Sequence, residues 1–286
     1  MGRVLQIVCA LLLVVSCVDG GSDRPPVVRD ASRFRAQPRR PTRPRVDASL
    51  PVVRGFSENW RDEVVRAYGE LFRRGSRQAW TAAINRCVES DGHGGKRFIA
   101  PIREAARLMG GRYPEAFVAG LVTHESWCQP NYRTRDGGTG YAQITPARGT
   151  RQVDRRWLER AKQILGHEAD WERSPVDNIV LGLSELMEAE LELGSRELGL
   201  AAYNAGIGGV RQAMRRTGWR PGQLPPDINR VAPYLSHRAH RWDARWYAAK
   251  VLATTVLANR TIQGRTDIAV INPRRFRLEH VPGANP

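Results

Sequence analysis

Eight stretches of the chain carry apolar residues at helical spacing: Glu58 to Phe72, Arg77 to Val88, Ile102 to Met109, Pro114 to Trp127, Val153 to Leu165, Val176 to Leu193, Glu197 to Tyr203 and Ala244 to Ala258. Strand signals are sparse, and the clearest is the short apolar run Ile268-Ala269-Val270-Ile271, which periodicity alone cannot assign. A mainly α fold follows. About 230 residues lie beyond position 55, enough for one large domain with a substantial core.

One helical stretch carries a candidate acid. Tyr113-Pro114 offers a helix start with Pro at the first helical position. Phe117, Leu121 and Glu125 then recur every four residues beside Val118 and Val122, so Glu125 extends an apolar stripe. A carboxyl group there is partly desolvated, which disfavours its charged form and raises its pKa, as a general acid requires near neutral pH. From the helix alone, a merely solvated Glu at a helix end is equally open.

The neighbouring motifs add to this. Thr123-His124-Glu125-Ser126-Trp127 is followed, with Gly140 fifteen residues after Glu125, by Gly140-Tyr141-Ala142-Gln143-Ile144-Thr145-Pro146 and then by Ala202-Tyr203-Asn204-Ala205-Gly206. In order and spacing these resemble the lytic transglycosylases of the soluble, lysozyme-like type, over roughly residues 100–258. The resemblance implies a lysozyme-like (goose-type or soluble-transglycosylase) domain over 100–258. Outside it, the helical pattern before residue 100 reads as a segment at 56–99 packed on the core, and 259–286 reads as a tail; neither carries the resemblance. The resemblance also implies peptidoglycan glycan strands as substrate. Glu125 would protonate the oxygen linking N-acetylmuramic acid to N-acetylglucosamine, then deprotonate the muramoyl C6 hydroxyl that closes the 1,6-anhydro ring, with no cofactor and no metal.

Residue by residue, Thr134 falls where the family keeps a hydroxyl near the acid, and Gln143 resembles a saccharide-binding amide. Tyr203 resembles the residue whose hydroxyl positions the acid, Asn204 is more plausibly structural within the same binding motif, and Gly206 reads as a helix C-cap. Gly137 and Gly140 match turn-shaping glycines. Asn178-Ile179-x-x-Gly182 matches a further signature, although Glu185 stands where a Tyr is expected. The last motif is degenerate: Asp243-Ala244-Arg245-Trp246-Tyr247-Ala248 keeps a carboxylate and Tyr247 only, which makes Tyr247 either a binding residue or core. Asp136 matches no catalytic position of the family. Two other readings are a hydrolase of goose-lysozyme type and a cell-wall-binding lipoprotein with little turnover.

The beginning of the chain points outside the cytoplasm. Met1-Gly2-Arg3 precedes an apolar run from Val4 to Val15 that is too short to span a bilayer. Val14-Val15-Ser16-Cys17 resembles the bacterial lipobox, giving a lipoprotein signal at 1–16, an acylated Cys17 and a membrane anchor facing the periplasm. Val18 favours the outer membrane. From Arg24 to Arg54 there are nine Arg and six Pro but one aromatic, Phe34. Such a segment buries too little apolar surface to offset its ordering entropy, so 17–55 reads as an extended tether. The net charge of +16 comes without a nucleic-acid-binding motif and with an export signal, so nucleic acid is excluded as a partner. Of four Cys, Cys9 leaves with the signal and Cys17 is acylated, leaving Cys87 and Cys128 either paired in an oxidising compartment or as two buried thiols. Among the six His only His237-x-x-His240 has a spacing of interest, more often a solvated helix face than a metal site.

Overall fold

The computed structural model describes residues 60–73, 77–146, 152–235, 244–265, 274–277 and 281–283. The signal, Cys17, the tether, the Ile268–Ile271 run, His237, His240 and Asp243 lie outside the described residues. The described chain is mainly α: α1 (Arg61–Arg73), α2 (Arg77–Arg86), β1 (Val88–Ser90), β2 (Lys96–Phe98), α3 (Ala100–Leu108), α4 (Glu115–Ser126), α5 (Arg155–Leu165), α6 (Pro175–Leu193), α7 (Arg196–Ala205), α8 (Ile207–Arg216), the single turn α9 (Ile228–Val231) with a 3-10 turn after it, and α10 (Ala244–Ile262).

α4 is the central helix. Its residues from Ala116 to Thr123 are buried on every side, so the apolar stripe expected of it is in fact a full apolar circumference. Pro114 is its N-cap rather than its first residue, and Trp127 closes it in the left-handed conformation at φ 56°. Against α4 lies α10, with Thr254 Oγ1 donating to the Gly120 carbonyl at 2.9 Å. A Cβ at Gly120 would drive into Thr255, so glycine is what lets the two backbones approach this closely.

α6 starts at Ser174, whose hydroxyl accepts from the Asp177 amide, followed by Pro175 at the first helical position, and it ends at left-handed Gly194. Its buried Glu190 pairs with Arg196, itself fully buried at the start of α7, and with Arg112 at 2.7 Å. Arg196 Nη1 also donates to the Gly283 carbonyl at 2.8 Å. Breaking one partner of such a buried set leaves an uncompensated charge.

At Val88 and over α8 the elements differ from those expected. Val88 was expected in a helix but opens a two-stranded antiparallel hairpin, with Val88 opposite Phe98. The turn of that hairpin is organised by Asp91 Oδ1, which accepts from the amides of His93 and Gly95 at 2.8 and 2.9 Å. α8 was not expected at all, since Gly208-Gly209 and three Arg interrupt its pattern. Gly206, expected as a C-cap, ends α7 and also begins α8.

Candidate active site

Glu125 sits in the last turn of α4 and lines a cleft of about 310 Å³ together with Thr134, Asp136, Gln143, Thr145, Glu185, Tyr203 and Asn204. Burial is the main cause that pushes its carboxyl up to about 7. The Tyr247 hydroxyl, which donates to Glu125 Oε1, pulls the other way, and the negative charge of Asp136 adds to the rise. The result is an acid that keeps a proton near neutral pH and can also give it up.

The position of Tyr247 follows from the helix packing just described. Tyr247 meets Glu125 while Thr254 and Thr255 meet Gly120, so α10 runs antiparallel to α4. The Tyr247 ring packs edge-on against His124 at 5.1 Å and stacks on Tyr203 at 6.3 Å. Burial, with Lys250 adding to it, holds His124 down at about 3, so it is a neutral wall.

Immediately past the acid the chain makes an unusual turn, with Trp127 and Cys128 both at φ 56°. Two successive non-glycine residues in the left-handed region persist only when their surroundings enforce it. Here Arg86 Nε donates to the Trp127 carbonyl at 2.9 Å, Trp80 stacks on Trp127 at 4.6 Å, and Cys128 is joined to Cys87 by a disulfide with a Cα separation of 5.7 Å. All three restraints come from α2 and the residue after it. The segment before the family-like core therefore braces the end of the helix that carries the acid.

The opposite wall is the loop from Tyr132 to Thr145. The Gln143 amide donates to the carbonyls of Tyr132 at 3.1 Å and Gly140 at 2.8 Å, while its Oε1 accepts from Thr134 Oγ1 at 3.1 Å. Gln143 was expected as a saccharide-binding amide, but both its N–H groups are committed to the loop. Thr134, expected near the acid, is in the same cleft but spends its hydroxyl on Gln143 and, at 3.4 Å, on the Gly138 carbonyl. Gly137 and Gly140 stand at φ 100° and 79°, as turn-shaping glycines do.

The Tyr203 hydroxyl donates to the Ala142 carbonyl at 2.6 Å. It was expected to position the acid, but its hydroxyl is engaged by that carbonyl, and the phenol that reaches Glu125 is Tyr247 of α10. Asn204, a binding candidate read as structural within its motif, is exposed and lines the cleft, and its side chain makes no hydrogen bond with the described residues.

Asn178, Gly182 and Glu185 form one stripe of α6. Asn178 Oδ1 accepts from the Ala142 amide at 2.8 Å, and a Cβ at Gly182 would strike Ala142 and the Tyr203 hydroxyl. One turn on, Glu185 opens into the cleft. Burial first, then the charges of Glu125 and Asp154, push its carboxyl up to about 8. Sequence reasoning set Asp136 aside and noted Glu185 only as a departure from Tyr; both line the cleft. The available signal for Glu185 was its spacing of seven and three residues from Asn178 and Gly182.

Residues 104–224 match the family model of the transglycosylase SLT domain. This segment includes Glu125 and every described residue of the cleft, and it agrees with the mainly α, lysozyme-like fold expected from the motifs. No curated protein sequence matches the chain. Among solved structures, the chain is similar to an inactive mutant of lytic transglycosylase Slt from Pseudomonas aeruginosa, at 22% identity and a TM-score of 0.40, over 59% of this chain and 25% of that one. It is also similar to the 70 kDa soluble lytic transglycosylase of Escherichia coli, at 19% identity and a TM-score of 0.45, over 80% of this chain and 32% of that one. The chain thus spans a third or less of the length of these two proteins.

Proposed function

We propose that this chain is a peptidoglycan lytic transglycosylase. The observation that carries the reading is Glu125, a buried carboxyl pushed up to about 7 by desolvation, in a cleft of about 310 Å³ inside the SLT segment. Glu125 gives its proton to the oxygen between N-acetylmuramic acid and N-acetylglucosamine as that bond breaks. The resulting carboxylate takes the proton of the muramoyl C6 hydroxyl, whose oxygen closes on C1. Atoms balance without water, and Glu125 ends protonated, ready for the next cycle.

A hydrolytic reading is favoured by one observation: Asp136 and Glu185 share the cleft with Glu125, and glycoside hydrolysis by water ordinarily uses a second carboxyl group. Digestion of purified sacculi followed by mass analysis decides between them. Anhydro-muropeptides are expected, lighter by one water than hydrolytic products, and hydrated products alone would refute the transglycosylase reading.

The lipobox pattern at Cys17 supports a lipid anchor at the outer membrane facing the periplasm. Labelling with a fatty-acid analogue is expected to mark the wild type and not Cys17→Ser. Equal incorporation in both would remove the site.

A further inference from the structure

The Glu185 side chain makes no hydrogen bond or ion pair with the described residues, although it is partly buried and lines the cleft with Glu125. Among the described residues the titratable groups that act on it are acids: Glu125 on α4, Asp154 at the start of α5, Tyr203 on α7 and Tyr247 on α10. Asp136 lines the same cleft. An ionised carboxylate in that place would lose hydration with no cation among these neighbours to compensate it. A neutral carboxylic acid avoids that cost and offers one O–H donor, while a glycan presents hydroxyl, ring and acetamido oxygens to accept it.

We propose that Glu185 is a saccharide-binding residue that acts as a neutral acid, donating a hydrogen bond from α6 to an oxygen of a glycan bound in the cleft that it shares with the proton-transferring Glu125. This rests on the cleft being the glycan site of the proposed transglycosylase. Its consequence is a division of labour between two glutamates of the same cleft. Glu125 must exchange its proton in each turnover, whereas Glu185 must keep its own. Glycan affinity is then present while Glu185 is protonated and is lost as pH rises through its pKa, which burial and the charge of Glu125 together set at about 8.

The test is calorimetric titration with chitotetraose, a neutral N-acetylglucosamine tetramer, between about pH 5.5 and 9.5. It uses Glu125→Gln, in which Glu125 no longer titrates, and the double variant Glu125→Gln/Glu185→Gln. Removing the charge of Glu125 moves the Glu185 titration somewhat below 8, since that charge is one cause of the rise. Glu125→Gln is expected to hold its affinity at acid pH and lose about tenfold through this window, the effect of one donor becoming a desolvated acceptor. The double variant is expected to bind with no dependence on pH, because an amide still donates and does not titrate.

Parallel pH profiles in the two variants, or a flat profile in Glu125→Gln, would overturn the proposal while leaving the transglycosylase reading in place. So would a hydrated product from sacculi that disappears in Glu185→Gln, which would make Glu185 the base for water instead. Absence of binding at every pH, together with no product from sacculi, would remove the glycan cleft itself and the proposal with it.

Discussion

On one side of the cleft Glu125 is held by packing; on the other, Thr134 and Gln143 are held by hydrogen bonds. The helical side consists of α4 and α10 pressed together at Gly120, with Trp80, His124 and Tyr247 around the acid. It is apolar, and what it supplies is desolvation, the principal cause of the raised Glu125 pKa. The loop side lines the cleft with polar side chains, and Thr134 and Gln143 are occupied with each other and with loop carbonyls. On the proposed reading, proton chemistry sits on the packed helical wall, while the loop wall supplies shape. If the comparison holds, substitutions on the helical wall should act on turnover and its pH profile, and substitutions on the loop wall should act weakly on both.

The largest effect is expected from Glu125→Gln. An amide fills the same space but cannot exchange the proton, so turnover should fall by about 10² to 10⁴-fold while saccharide binding persists. Release of anhydro-muropeptides at more than about a tenth of the wild-type rate would lie outside that range and place the acid elsewhere.

Next comes the brace behind the acid. Replacing both Cys87 and Cys128 by Ser should lower stability by about 2–4 kcal/mol, the usual range for a native crosslink, read as a reduced midpoint in denaturant with a somewhat steeper slope, because the unfolded chain without the crosslink is more expanded. Because Arg86 and Trp80 still hold the Trp127 turn, the folded fraction should retain most of its turnover. A variant that is fully stable but inactive would show that the crosslink sets the geometry of the acid rather than the stability of the fold.

Tyr247→Phe tests the contact that defines the helical wall. The hydroxyl favours the ionised form of Glu125 and so lowers its pKa. Its loss should raise that pKa above about 7, so the acid stays protonated to higher pH and the alkaline limb of kcat/KM moves upward. A hydrogen bond to a charged group is worth about 1.5–3 kcal/mol, or roughly ten- to a hundredfold in rate. A downward shift of the limb would show that Tyr247 stabilises the neutral acid instead.

The two walls were unequally legible in the sequence. Glu125 could be read because helical spacing put it at the end of an apolar run and fixed motif distances followed it. The role of Tyr247 could not: it depends on a contact between residues 122 positions apart, set by how closely α10 approaches Gly120, and the motif around Tyr247 is degenerate. Tyr203 was given the acid-positioning role because its own motif is intact, yet its hydroxyl is consumed by the Ala142 carbonyl. Thr134 and Gln143 line the cleft with Glu125, but residue type alone does not reveal which donors are already spent. The hairpin at Val88–Phe98 escaped because three-residue strands are shorter than any alternation that periodicity can register. Glu185 needed the register of α6 against the loop, which brings a carboxyl in line with Asn178 and Gly182.

The smallest expected effect belongs to the loop wall, and it bears most directly on the contrast. Thr134 Oγ1 donates to Gln143 Oε1, a bond between neutral groups. Gln143 is itself at φ 52° and is retained by its two bonds to the Tyr132 and Gly140 carbonyls. Thr134→Val keeps the branched shape and removes the donor, so it should cost about 0.5–1.5 kcal/mol, a loss of roughly two- to tenfold in rate. Thr134→Ser restores the hydroxyl and should be close to wild type. Neither substitution touches the desolvation of Glu125, so neither should move the alkaline limb of the pH profile. The measurement is the initial rate of anhydro-product release from sacculi across pH, at matched folded concentration. A hundredfold loss in Thr134→Val, or a shift of the limb, would mean that this hydroxyl reaches the reacting atoms, and that the two walls share the proton chemistry which packing otherwise confines to one of them.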